Sequence, residues 1–108
     1  MANTFKLKTK ANVGVSTSDV YVVPSATTTV VIGVTLANTT GSSINVGVGV
    51  TRASSDDVKL MKNVPIPQGS SFEFMAGNKV VLETTDTLTA ESDVSNSLDV
   101  ALTIMEIT

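Results

Sequence analysis

The segment Thr28-Thr29-Val30-Val31-Ile32-Gly33-Val34-Thr35-Leu36 carries the strongest β-strand signal in the sequence. β-Branched side chains dominate it, and such side chains fit a pleated sheet better than a helix. Its nearly continuous apolar run is typical of a central strand with limited exposure on either face. We therefore expect residues 27–37 to form a central strand of a β-sheet.

Shorter strand signals continue on both sides of this segment, separated by turn residues at intervals of about 8–12 residues. No segment holds a helical apolar period, and aromatic residues make up only 4% of the chain, so the predicted core is aliphatic. The pattern predicts eight to nine short strands in a single all-β domain that spans residues 1–108. The predicted fold is an antiparallel β-sandwich or jelly roll.

The N-terminal segment alternates strictly between apolar and polar residues. Phe5 begins the apolar series, and Lys6, Lys8 and Lys10 fall on the opposite face. A period of two predicts a half-buried strand with a lysine stripe that faces water. Exposed lysines also protect a sheet edge against unwanted pairing. Residues 1–15 can therefore form an edge strand of their own sheet or a strand exchanged with a neighbouring subunit, and both alternatives stay open.

Two glycines share one face of the strand predicted at residues 44–52. Gly47 and Gly49 alternate there with apolar residues. A strand face without side chains lets another backbone approach closely or lets the strand bend. We interpret the pair as a bulge or local twist, and a subunit contact across the glycine face is the alternative. The predicted partner-contact residues are Phe5, Lys6, Lys8, Lys10, Gly47 and Gly49.

The charge pattern bears on the class of partner. The net charge is −3 and the isoelectric point is about 4.6, with few cations and few aromatics, so nucleic acid is not an expected partner. Residues 1–62 carry six cations and three anions, while residues 63–108 carry one cation and seven anions. This asymmetry allows the positive face of one subunit to meet the negative face of another, although scattered charges more often only solvate a surface. No apolar run approaches the roughly 18 residues of a membrane span, so we expect no membrane partner.

The chain lacks the usual elements of catalysis. It contains no histidine and no cysteine, which removes the commonest general base, the commonest zinc ligand and any thiolate. Phosphate-binding glycine motifs and a Ser-x-x-Lys pair are also absent. Glu73, Glu83 and Glu91 are the candidate acids for glycoside hydrolysis, but the chain has few of the aromatic platforms that sugar sites generally use. We expect no catalytic residue, no enzymatic activity and no cofactor.

One acidic pair was considered as a calcium site. Asp56 and Asp57 are adjacent in a predicted loop. Calcium takes roughly six to eight oxygen ligands, and the surrounding sequence does not match a calcium-binding loop. We interpret the pair as part of a solvated loop and predict no metal site.

Several stretches of strand and turn resemble small structural proteins of tailed-bacteriophage virions. They are residues 20–38 (VYVVPSATTTVVIGVTLAN), 65–71 (PIPQGSS), 77–83 (GNKVVLE), 86–88 (DTL) and 97–100 (SLDV). The resemblance covers residues 20–107. It implies a virion structural protein, made in the host cytoplasm, and it leaves a capsid decoration (cement) protein and a tail or neck component both open.

Decoration proteins of this family are small β modules that often sit on the capsid as trimers. The resemblance therefore implies two partners, the major capsid protein and further copies of the chain in a homotrimer, with the capsid surface as the location. The N-terminus shows no apolar run, so we expect no secretory signal. A carbohydrate-binding or adhesive β module is a further alternative, and the scarcity of aromatics weighs against it.

Overall fold

The computed structural model describes residues 3–52, 57–74 and 79–108, which form nine β-strands and no helix. The strands are β1 (Asn3–Val13), β2 (Ser18–Val22), β3 (Thr28–Asn38), β4 (Ile44–Thr51), β5 (Val58–Ile66), β6 (Ser71–Phe74), β7 (Val80–Leu82), β8 (Thr87–Ser92) and β9 (Leu98–Ile107). Every strand pair is antiparallel. The predicted all-β class and strand number are confirmed.

The strands form two sheets. Sheet A has the order β1-β9-β3-β6, with β7 also paired to β3, and sheet B has the order β2-β8-β4-β5. The pairs β1·β9, β2·β8, β3·β6 and β4·β5 are nested along the chain, so the chain is a long antiparallel hairpin whose arms alternate between the sheets. This topology is that of a jelly roll, one of the two predicted architectures.

The core between the sheets is aliphatic, as the composition predicts. Leu36, Leu102 and Ile104 from sheet A meet Val48 and Leu88 from sheet B, and all five are 0% exposed. Each side chain of this size contributes about 1.5–3 kcal/mol when it is fully buried. Packing of the two inner faces therefore holds the sheets together.

The central strand β3 contains a β-bulge. Its register with β9 shifts between Val31 and Gly33. Val31 and Val34 are consequently both fully buried although they lie three positions apart, while Val30 and Ile32 are half-buried. The extra residue changes which positions face the core, and this explains why the apolar run in this strand is nearly continuous.

Three local sequence patterns predict the structure incorrectly. The prolines at residues 65–69 predict a break in strand pairing, but β5 continues through Pro65 to Ile66, because β5 is an edge strand and makes ladder bonds on one side only. The polar residues 16–19 predict a turn, but the turn is shorter, since β2 begins at Ser18. The aromatic side chain of Phe72 predicts a core position, but this residue lies on the short edge strand β6 and is 38% exposed.

Candidate interaction surface

The outer face of sheet A carries a continuous row of apolar side chains. Phe5 in β1 lies opposite Met105 in β9, which lies opposite Val30 in β3. Val30 lies opposite Val81 in β7. With strands about 4.8 Å apart, the row crosses the sheet over about 14 Å. We call these four residues the outer apolar row.

The ends of this row are strongly exposed. Phe5 is 69% exposed and Val81 is 59% exposed, and Leu7, on the same face of β1 as Phe5, is 66% exposed. These three side chains leave on the order of 300 Å² of apolar surface in water, which is comparable to the largest patch on a typical monomer. The largest exposed apolar patch of a monomer is often a functional site.

The predicted orientation of β1 is wrong. Lys6 lies opposite Ile104 and Lys8 lies opposite Leu102, and both partners are fully buried on the inner face of β9. The lysines are therefore on the inner side of sheet A, and the apolar series that starts at Phe5 is on the outer side. The physical reason is the edge position of β1, where long lysine stems cover the rim of the core while their ammonium groups reach water.

Lys6 covers a buried polar network at the rim of the core. The Nζ of Lys6 lies 2.8 Å from a carboxylate oxygen of Glu106, a residue that is 5% exposed. The hydroxyl of Tyr21 donates to the other carboxylate oxygen at 2.5 Å and lies 2.8 Å from the hydroxyl of Thr29. The network therefore connects β1, β2, β3 and β9 at one end of the sandwich.

The network shifts the pKa of two of its members. The Lys6 ammonium, followed by the Tyr21 hydroxyl, lowers the pKa of Glu106 below its usual value. Burial, followed by the hydrogen bond to Glu106, raises the pKa of Tyr21 to about 12. Both shifts favour one protonation state, in which Glu106 is ionised and Tyr21 is neutral.

The other two predicted lysines occupy the same flank of β1. The Nζ of Lys8 lies 6.0 Å from the centre of the Tyr21 ring, a distance compatible with a weak cation–π contact. Lys10 lies opposite Val100 and is exposed. The structure thus brings Lys6 and Lys8 to the Tyr21 rim, and it places all three lysines on the side of the strand opposite to Phe5.

The glycine face of β4 is covered within the chain. A Cβ at Gly49 would lie 2.9 Å from the carbonyl oxygen of Val58, and one at Gly47 would lie 3.3 Å from a carboxylate oxygen of Glu91. The register of β4 with β5 shifts on both sides of Val48, but the extra residue of each bulge lies in β5, and β4 pairs with β8 without a shift, so the predicted bulge lies beside the glycines and not in their own strand. The two glycines allow β5 to approach closely, and the alternative of a subunit contact here stays a prediction.

The same region carries an ion pair on the outer side of sheet B. The Nζ of Lys59 lies 2.8 Å from Glu91, and this ammonium lowers the pKa of the Glu91 carboxyl. Thr17 donates a further, longer hydrogen bond to Glu91 at 3.4 Å. The outer face of sheet B is therefore polar around the glycines, in contrast to the apolar outer face of sheet A.

A groove opens on the outer face of sheet A, at the opposite end of the strands from the outer apolar row. Its volume is about 230 Å³, and its small side chains are Ala11, Ala37 and Ala101. The groove lies where β1 leaves β9, because the register shifts between Lys10 and Val13. We call it the alanine groove.

The three candidate catalytic acids are each bound to a different partner side chain. Glu73 accepts a hydrogen bond from Thr35, Glu83 pairs with Arg52, and Glu91 pairs with Lys59 as described. Within residues 3–52, 57–74 and 79–108, no three acidic side chains lie close enough to hold a metal ion. Asp57 is exposed, and Asp56 lies outside the described residues. The described part of the chain also contains no helix that is long and apolar enough to cross a membrane.

Sequence reasoning missed most of this surface. Of the residues in the outer apolar row, only Phe5 was among the predicted contacts, and none of the groove alanines was. A signal was present in β9, where Ala101, Met105 and Ile107 make the second face partly apolar as well. Apolar residues on both faces of a strand indicate that both sides of its sheet are packed against other parts of the structure or against another chain.

Comparisons with known proteins bear on the fold. No protein-family model matches the chain, and no curated protein matches it. The chain is similar to one solved in Bacillus endospore appendages, which are described as a novel family of disulfide-linked pili. The TM-score is 0.59 at 12% sequence identity, and the match covers 99% of this chain and 87% of that chain. The two chains share a fold, but this chain contains no cysteine and cannot form the disulfides named for those pili.

Proposed function

We propose that the chain is a non-enzymatic structural protein of a bacteriophage virion, and that it acts as a capsid decoration protein. In this role it binds the major capsid protein and further copies of itself, and so stabilises the shell. The observation that carries the proposal is the outer apolar row, which leaves a broad apolar face of the isolated chain in water.

The shape of this face favours a protein partner. Small-molecule sites are usually concave and bury most of their ligand. The outer apolar row instead crosses a sheet face over four strands, with Phe5 and Val81 at its two ends. A surface of this form fits the extended surface of another subunit.

Covering the face contributes favourable free energy to assembly. At about 25 cal/mol per Å² of apolar area, the exposed patch corresponds to several kcal/mol per chain before association costs are subtracted. Such a contact is weak when it is made once. It becomes effective on a particle, where many copies bind side by side.

Two further observations support a structural role. The resemblance of residues 20–107 is to virion structural proteins, and the similar fold belongs to a chain from pili. In addition, the three candidate acids Glu73, Glu83 and Glu91 are bound to three separate partners. A passive binding role requires no convergence of acidic side chains on one cleft.

A tail or neck component of the virion is the second candidate. The observation that favours it is the similar fold of a chain from a fibrous appendage, since tails are also built by axial repetition of one subunit. A carbohydrate-binding module has no comparable support, because Phe5 is the one aromatic side chain in the outer apolar row.

The test uses purified virions and purified chain. We expect mass spectrometry to detect the chain in virions, and we expect the added chain to co-sediment with isolated shells and not with isolated tails. Phe5→Ser should weaken sedimentation with shells, and Val22→Ser, which changes a 51% exposed valine in sheet B, should not. Binding to tails alone would support the second candidate. Absence from virions together with glycan binding would contradict the proposal.

A further inference from the structure

We propose that a second copy of the chain covers the outer face of sheet A, in a twofold dimer in which Phe5 of each copy inserts into the alanine groove of the other. This inference rests on the proposed structural role. It names a second copy as the partner on the outer face of sheet A, so Phe5→Ser weakens shell binding by separating the two copies that bind the shell together.

The dimer contact uses a projecting side chain and a groove on one face of one molecule. Phe5 is 69% exposed at one end of β1, and Ala11 lines the groove near the other end. At about 3.3 Å per residue, the two positions are about 20 Å apart along the strand. Both belong to the outer face, because Phe5 and Ala11 alternate in β1 with the lysines of the inner face.

The groove is large enough for a phenyl ring. Its volume is about 230 Å³, whereas a dry apolar cavity of about 150 Å³ already binds benzene. The methyl groups of Ala11, Ala37 and Ala101 give it a mostly apolar surface of low relief. Polar side chains, among them Thr9, Thr35 and Asp99, complete the lining. Burial of the Phe5 ring there removes the most exposed large apolar side chain of the described residues from water.

Twofold symmetry forms both contacts between Phe5 and the alanine groove at the same time. A rotation of 180° about an axis that lies in the contact plane and crosses the strands places the two sheets face to face with antiparallel strands. The Phe5 end of each copy then lies over the alanine groove of the other, so the contact is isologous and closed. Two copies of one sheet also have the same twist, which suits aligned packing at about 10 Å separation.

The size of the face fits a dimer. With β9 ten residues long, a face four strands wide covers on the order of 600 Å², close to the roughly 800 Å² per partner of a standard stable interface. Three copies cannot each lay the same flat face on both of the others. The inference therefore predicts a dimer through this face, in place of the trimer that the family resemblance implies.

Two variants and a control test the contact by size-exclusion chromatography with light scattering. We expect the wild-type chain to be a dimer at micromolar concentration. Phe5→Ser removes the inserted side chain and Ala101→Leu fills the groove, and each should weaken dimerisation by about tenfold or more. Val22→Ser, on sheet B, should leave the dimer unchanged. Circular dichroism of each variant verifies that it is folded.

Mixing the two variants gives the sharpest result. Phe5→Ser keeps an open groove and Ala101→Leu keeps Phe5, so a mixed dimer forms one complete contact, whereas neither variant alone forms any. We expect the equimolar mixture to recover association that both separate samples lack. A wild-type monomer or trimer, a mixture that stays monomeric, or an equal loss in Val22→Ser would overturn the inference.

The same experiment separates this inference from the proposed function. A monomeric chain that nevertheless binds isolated shells would remove the dimer and keep the decoration role. A dimer that shows the mixing effect but is absent from virions would keep the contact and remove the virion role.

Discussion

Phe5 and Val81 lie at opposite ends of one cross-strand row, on the two outermost strands of that row in sheet A, and both side chains point away from the core. Met105 and Val30 connect them across β9 and β3. The row lies outside the sandwich, so it contributes little to the folding of a single chain. Under the proposed function, contact with another subunit accounts for its apolar character.

The orientation of β1 can be tested by stability. Phe5→Ser should change the free energy of unfolding by no more than about 0.5 kcal/mol, because the side chain is mostly exposed. Leu102→Ala, on the inner face of the neighbouring strand, should cost about 2–5 kcal/mol. Urea unfolding of both variants at a concentration where the chain is monomeric measures the difference. A large loss in Phe5→Ser would mean that this face belongs to the core.

Tyr21 provides a direct probe of the buried network. It is the only tyrosine in the chain and there is no tryptophan, so ultraviolet absorbance reports its ionisation alone. We expect the folded chain to titrate with a midpoint near pH 12, because burial and the hydrogen bond to Glu106 raise the pKa of Tyr21 to about 12. Since the pKa of an unfolded tyrosine is about 10, the stabilisation contributed by neutral Tyr21 is fully present below pH 10 and is lost as the pH rises towards 12. A folded-state midpoint near pH 10 would contradict the network.

Glu106 makes the chain sensitive to acid. The Lys6 ammonium lowers the pKa of this carboxyl, so the stabilisation is present above the unfolded pKa of about 4.3 and is lost as the pH falls through the lower folded value. Lys6→Ser should reduce the free energy of unfolding by about 1 kcal/mol at neutral pH and should flatten its dependence on pH below about 5. Lys10→Ser, on the same flank of β1, is the matched control. If the free energy of unfolding of the two variants depends on pH in the same way below about pH 5, Lys6 does not have the role assigned to it.

Two glycine variants test whether β5 packs closely against the glycine face of β4. A Cβ at Gly49 would come within 2.9 Å of the backbone oxygen of Val58, so Gly49→Ala should cost about 1–3 kcal/mol in thermal or urea unfolding. Gly41 has nothing within 4 Å of an added Cβ, and Gly41→Ala should change stability by about 0.5 kcal/mol or less. Equal effects at the two sites would show that β5 does not approach β4 as closely as described.

Sequence patterns predict the fold class well because it depends on many residues at once. The run around Val30 and Val34 predicted a central strand, and β3 is indeed paired on both sides. The turn residues around Gly41 also fall between strands, as their composition predicts. These features depend on local propensity and on burial, and the sequence records both directly.

The orientation of β1 could not be predicted in the same way. Alternation separates Phe5 from Lys6, but it does not show which of the two faces the core at a sheet edge. Tyr21 and Glu106 decide the matter, because together they give the lysine side a buried acid and an aromatic ring to cover. The contacts of Glu106 with Tyr21 and Lys6 join residues more than 80 positions apart in the chain, and no local pattern records them.

The exposed face was missed for a related reason. A hydrophobic pattern does not distinguish the core of a chain from an interface between chains, since both remove apolar side chains from water. From the sequence alone, Met105 and Val30 therefore cannot be told from core residues, and only the strand register places them together on the outer face.

If the proposed function is right, another subunit covers the outer apolar row in the assembled particle. Cryo-electron microscopy of virions that carry the chain decides whether this is so. We expect a map in which Phe5 and Val81 are buried against a neighbouring subunit, while the outer face of sheet B around Lys59 and Glu91 faces solvent. A map in which the outer face of sheet A is in contact with solvent in every copy would exclude that contact.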